Sequence, residues 1–203
     1  RPWNINPSWK TESGQSWFHI DQHPITRPGK QCIQGLVNLL PTSQEIGGNV
    51  VVPGSHRFFK NIPSEYKERL AKLPLGIDHF RFPNDDPKLS SEKPLMCHME
   101  PGDMLLWDSR TIHCSNSGIK LPEGAKGLIR AASLICMMPK ERSNEDVINQ
   151  RRKAVERVIS TTNWSDTFRN ADEFPVILEA KDREKYKWPP KPKLTDYQKD
   201  LVG

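Results

Sequence analysis

The chain has 203 residues, enough for one domain with a core of its own, and its 35% hydrophobic content includes six Trp and seven Phe. The formal charge of +5 is spread evenly, 16 basic against 13 acidic residues over 1–139 and 14 against 12 over 140–203. No basic stripe therefore marks a nucleic-acid surface. No apolar run reaches the roughly 18 residues that a membrane span needs.

Eighteen prolines and twelve glycines punctuate the chain, which favours short strands and turns over a helical bundle. Residues 1–16 read as an irregular lead-in, followed by a short strand at 17–22. CIQGLVNLL (32–40) is the next strand, closed by Pro41. A Gly-Gly turn, a short Val strand and a second turn follow in GGNVVVPGSH. Residues 63–73 place Tyr66, Leu70 and Leu73 at helical spacing. Residues 74–94 read as a long loop of the kind that often serves as a lid and sets specificity. LMCHME and DMLLWD are strands on either side of a PGD turn, and LIRAASLICMMP is an apolar strand run interrupted by one arginine. A helix is predicted from Ser143 to about 160, with an extended tail beyond it. The expected fold is an all-β core, a jelly roll with short appended helices, in a single domain over 1–203 with its core at about 17–139.

Four cysteines form no CxxC pair, so reduced, buried thiols are expected. No secretory segment is evident, and an intracellular, cytoplasmic location is the expectation, with organellar targeting left open.

The chemistry centres on WFHIDQHP (17–24). On a strand, His19 and Asp21 project from one face while Ile20 points away. An imidazole and a carboxylate so placed are two of the three ligands of a facial iron triad. The third must come from a distant strand. His56 follows a turn, His79 lies in the long loop, and His98 sits just before a turn. His113 follows the strand DMLLWD, and seventeen positions later Arg130 interrupts an apolar run. A buried guanidinium needs an anion, and its planar fork suits a carboxylate. An iron site with an inward arginine is what a 2-oxo acid cosubstrate requires; a strand-end histidine with an ion-paired arginine is the structural alternative. His23 reads as loop or pocket rim, Arg27 as a solvated loop charge or a contact for an anionic substrate at the pocket mouth, Trp17 and Phe18 as core or as packing against a preceding N-terminal region, and Trp107 as core.

The order HxD, GGNVVVPGSHR, PGDMLLWDSRTIHCS and then an arginine before an apolar strand resembles the phytanoyl-CoA dioxygenase family over about 17–139. The resemblance implies a double-stranded β-helix and an Fe(II)- and 2-oxoglutarate-dependent dioxygenase that hydroxylates a small organic substrate, with ascorbate as a candidate reductant. By the same resemblance His19, Asp21 and His113 match the iron ligands, Arg130 the arginine for the cosubstrate carboxylate, and Ser115 a hydroxyl donor to that carboxylate. The family's halogenating members lack the carboxylate ligand, so Asp21 implies hydroxylation. Two features depart from the pattern. The interval from His113 to Arg130 is long, which a loop insertion explains at small entropic cost. The helical region that precedes HxD in the family is expected to be absent from these residues. A catalytically silent binding module and a cupin-like protein with another divalent metal are the alternatives.

Overall fold

The strands that alternation and turn punctuation predict fall into two antiparallel sheets in a computed structural model, which describes residues 17–74, 77–83, 85–91, 93–118, 129–159, 161–168 and 190–202. The larger sheet has the order β4-β1-β7-β3-β5. Its strands are β1 (His19–Ile20), β3 (Gly47–Val51), β4 (Phe80–Arg81), β5 (Leu95–Met96) and β7 (His113–Ser117). The smaller sheet has the order β6-β2-β8, with β2 (Ile33–Asn38), β6 (Met104–Asp108) and β8 (Ala132–Met137). These two sheets form the all-β core of a double-stranded β-helix, and its helices are short appendages.

Two faces of the larger sheet do different work. Ile20, Val50, Val52, Phe80, Phe82, Ile112 and Cys114 bury themselves on one side. There they meet Phe59, Ile62 and Leu70, which come from the 3-10 turn Ser55–Asn61, α1 (Ile62–Glu65) and α2 (Lys67–Leu70). Side-chain alternation sends the intervening residues, His19, Asn49, His113 and Ser115, to the other face. Polar chemistry and the apolar core are thus separated by one strand thickness.

The predicted helix at 63–73 starts earlier and is broken. The PGSH segment leads directly into the 3-10 turn instead of ending in a plain turn. Gly54, at φ 73°, supplies the left-handed residue that begins it, a conformation that costs glycine little. Ser55 is buried and accepts a hydrogen bond from the Ile112 amide at 2.8 Å, tying this turn to the start of β7. The expected Gly-Gly turn is strand instead, because Gly48 passes Met96 and Thr42 so closely that a Cβ would stand 3.0 Å from the Met96 Sδ.

The stretch at 74–94 is no simple excursion loop where it is described. Phe80, Phe82 and Leu89 are core residues, β4 pairs with β1, and α3 (Pro87–Ser91) comes after it. Tyr66 stacks edge-on against both Phe80 and Phe82 and donates its hydroxyl to the buried Asp86. Alternating aromatics made this segment a strand that the Pro and Asp residues obscured.

Contacts divide the chain into two compact units, Arg1–Ile135 and Cys136–Gly203. Within the second, α4 (Glu145–Glu156) matches the predicted helix and is capped by the Asn144 side chain, which accepts from the Val147 amide at 2.9 Å. Ile148, Ala154 and Trp164 are buried in this unit, and Arg151 donates to the Trp164 carbonyl at 3.1 Å. The tail, expected to be extended, forms α5 (Asp196–Val202), which packs on α4. The lead-in at 1–16 and residues 119–128, which hold all of the GIKLPEG segment but its first glycine, lie outside the described residues. Among the described residues no helix is long and apolar enough to cross a membrane.

Candidate metal centre

One rung of the larger sheet builds the site. His19 of β1 stands directly opposite His113 of β7, so the two imidazoles share a face although 94 positions separate them in sequence. Their ring centroids are 4.4 Å apart. Asp21, two residues beyond His19, brings Oδ1 to 3.2 Å from His19 Nε2 and Oδ2 to 3.4 Å from His113 Nε2. The donor atoms of the three residues all lie within 4.8 Å of one another. Both histidines are 5% exposed, so the cluster is withdrawn from bulk water.

Each imidazole is oriented by the same local device. Nδ1 of His19 faces the Trp17 carbonyl at 3.0 Å, and Nδ1 of His113 faces the Thr111 carbonyl at 2.9 Å. A carbonyl only accepts, so each Nδ1 carries a proton and each ring turns its Nε2 toward Asp21. A bound cation would draw on both Nε2 atoms and the carboxylate from one side. Burial raises the Asp21 carboxyl, but hydrogen bonds and charges from His113 and His19 outweigh it and hold the group well below the usual carboxylate range. The donor set therefore fits a divalent metal of the imidazole- and carboxylate-binding kind.

The smaller sheet supports this centre from its own strands. Gln34 of β2 donates Nε2 to Asp21 Oδ2 at 2.9 Å, and its Oε1 accepts from Trp107 Nε1 of β6 at 3.1 Å. The indole only donates and the carboxylate only accepts, so the amide has one orientation that satisfies both. Trp107 also lies against His113, ring centroids 5.2 Å apart. Below Asp21, the fully buried Gln22 donates to the Arg27 and Gly29 carbonyls and accepts from the Ser109 hydroxyl. That clamp fixes the chain on both sides of the two metal-facing segments.

Two residues beyond His113 on the same face, Ser115 accepts a hydrogen bond from Arg130 at 2.9 Å. Arg130 precedes β8 by two residues instead of lying within it. Burial lowers its guanidinium from the ordinary value, with no acidic partner offsetting the effect. All five residues singled out in sequence thus fall into one region, as a three-donor cluster and an adjacent Arg130–Ser115 pair.

The other histidines do not join the cluster. His23 closes its own loop, Nδ1 accepting from the Ile25 and Thr26 amides. His98 is exposed and His56 is half-buried after its turn. His79 approaches His19 only edge-on at 6.5 Å. Phe18 is core as expected, but Trp17 is 41% exposed. Its ring stacks on His19 at 4.2 Å, its Nε1 donates to the Ser115 carbonyl, and Arg81 lies over its face. Gln34, Trp107 and Trp17 are the site residues that sequence reasoning missed.

Among known proteins, the phytanoyl-CoA dioxygenase (PhyH) family matches residues 4–117, which include His19, Asp21, His113 and Ser115. Ava biosynthesis cluster protein O of Aspergillus versicolor is 29% identical over 167 residues, covering 77% of this chain and 51% of that protein. The 1-deoxypentalenic acid 11-beta-hydroxylase of Streptomyces exfoliatus is 32% identical over 114 residues, covering 55% of this chain and 36% of that protein. The chain spans about half the length of the first relative and about a third of the second. Among solved structures, EctD from S. alaskensis with 2-oxoglutarate and 5-hydroxyectoine superposes with a TM-score of 0.40 at 16% identity, over 61% of this chain and 38% of that one. EctD with bound Fe gives 0.37 at 21% identity, over 58% and 35%. With the family match covering more than half of the sequence, the chain belongs to the phytanoyl-CoA dioxygenase family.

Proposed function

We propose that the chain carries the catalytic centre of an Fe(II)- and 2-oxoglutarate-dependent dioxygenase that hydroxylates a small organic substrate. The observation that carries this reading is the convergence of His19, Asp21 and His113 with both Nε2 atoms turned toward one carboxylate. These three residues hold the iron, and Gln34 keeps Asp21 in its ligand orientation. Arg130 and Ser115 hold the far carboxylate of the cosubstrate, which gives a half-buried guanidinium its anion. When bound, iron with the 2-oxo acid and O₂ supplies the oxidising power: decarboxylation to succinate and CO₂ places one oxygen atom in succinate and the other in the substrate.

The chain's own contribution is orientation and dryness. Trp17 covers the outer face of the His19 ring and Trp107 rests beside His113, so both ligands are shielded from water by aromatic surface. Asp21 fills the carboxylate position of the triad, which supports hydroxylation, as does the hydroxylase name of the Streptomyces exfoliatus relative. Among the described residues Cys32, Cys97, Cys114 and Cys136 form no disulfide, which supports a reducing, intracellular location.

The test is succinate release and 2-oxoglutarate consumption by the full-length protein with Fe(II) and ascorbate. Turnover that disappears in His113→Ala together with bound metal supports the reading. A wild-type protein that binds neither metal nor 2-oxoglutarate refutes it.

A further inference from the structure

Near the metal centre one buried polar side chain neither orients a ligand nor pairs with Arg130. Asn49 of β3 stands directly opposite Ser115 of β7, and residues paired across a ladder project to the same face. Its neighbour Val50 turns into the apolar core, so Asn49 turns inward, beside the hydroxyl that accepts from Arg130. Asn49 is 6% exposed, and its Nδ2 has no hydrogen-bond partner. A buried amide donor is costly to leave unpaired unless something outside the chain accepts from it.

The register also says which end of the site it serves. Val51, not Asn49, is opposite His113, so Asn49 lies one same-face step away from the metal row, in the row of Ser115. Arg130 approaches that same serine from another element, half-buried and with burial as the only cause of its lowered value. Because Ser115 Oγ accepts from Arg130, its own hydroxyl proton is free to donate. Asn49 thus shares a row with a serine hydroxyl that Arg130 approaches, and its own donor has no partner among the described residues. An aspartate at 49 would neutralise the guanidinium; an asparagine adds a donor and leaves the positive charge for a ligand.

We propose that Asn49 donates a third hydrogen bond to the far carboxylate of the 2-oxo acid held by Arg130 and Ser115. The assignment rests on the oxygenase reading of the metal centre. It makes Asn49 a cosubstrate-specificity residue at the end of the site remote from the metal.

The experiment is isothermal titration of the Mn(II)-loaded full-length protein with 2-oxoglutarate and, separately, with 2-oxovalerate, which has the same chain length but no far carboxylate. Wild type is compared with Asn49→Leu and Asn49→Asp. A lost hydrogen bond to a charged group should raise the 2-oxoglutarate Kd ~10-fold or more in Asn49→Leu. Asn49→Asp should raise it further, since the new carboxylate pairs with Arg130. Both variants should bind 2-oxovalerate as wild type does. Equal loss for both acids, or an unchanged 2-oxoglutarate Kd, overturns the assignment while the oxygenase reading stands. Failure of the wild type itself to bind 2-oxoglutarate overturns both. Asn49→Asp, equal in size to the native residue, keeps the test decisive if leucine disturbs the strand.

Discussion

Gln34→Leu isolates the support that one sheet lends to a ligand carried by the other. The native amide donates to Asp21 Oδ2 at 2.9 Å while accepting from Trp107 Nε1 at 3.1 Å, and the residue is 5% exposed. Leucine keeps a similar volume and removes both bonds. A hydrogen bond to a charged group contributes about 1.5–3 kcal/mol. At about 1.4 kcal/mol per decade that corresponds to roughly a tenfold to hundredfold weaker metal complex, the range typical of residues that orient metal ligands. The metal-free protein should change less, because the indole N–H that loses its acceptor is offset by added apolar burial. The assay is competition for Mn(II) or Fe(II) against a chelator of known affinity, with thermal melting of metal-free and loaded protein in parallel. Metal at 100 times its Kd stabilises the fold by about 2.7 kcal/mol, and at the same metal concentration about 1.4 to 0.4 kcal/mol of that should remain in the variant. Unchanged metal affinity alongside a destabilised metal-free protein would show that Gln34 serves packing and that Asp21 needs no support from β2.

Three further outcomes are expected from the fold. Burial pushes the Cys114 thiol up to about 12, so it stays protonated at pH 8, and iodoacetamide should label it there only after unfolding, as read by mass spectrometry; labelling of the native protein at the unfolded rate would contradict its place in the core. Tyr66→Phe removes the hydroxyl that meets the buried Asp86 and should cost about 1.5–3 kcal/mol in urea unfolding, with metal affinity intact. Gly54→Ala meets no atom within 4 Å but inherits φ 73°, so the loss should be purely conformational, about 1–2 kcal/mol; a shift in urea midpoint indistinguishable from zero would show that the turn relaxes instead.

The near half of the site was legible because strand parity is a local property: in HID the two ligands must share a face whatever the strand pairs with. The same parity extends back to Trp17, yet its bulk suggested the core or a preceding region as its partner, and only the structure reveals that the ring lies over His19. His113 could be selected from the other histidines only through Arg130 and the family resemblance, since nothing local to SRTIHCS says which strand lies beside it. Gln34 and Asn49 were harder. A single polar residue within IQGLVN or GGNVVV marks a strand with one wet face, but its partner depends on which sheet faces it and in what register. Phe80 and Phe82 alternate as strand residues do, but the prolines and aspartates around them outweighed a pattern only three residues long. The tail helix was missed for the same reason, because WPPKPK outweighed the short DYQKDLV segment after it.

The larger sheet presents Ile20, Val50, Val52, Ile112 and Cys114 to the apolar cluster and His19, Asn49, His113 and Ser115 to the chemistry. Neighbouring codons along each strand therefore answer to different selective demands. Changes at one parity are filtered by stability, and changes at the other by what the centre binds. A lineage can then try new cosubstrate or substrate contacts at the inward positions without passing through unfolded intermediates.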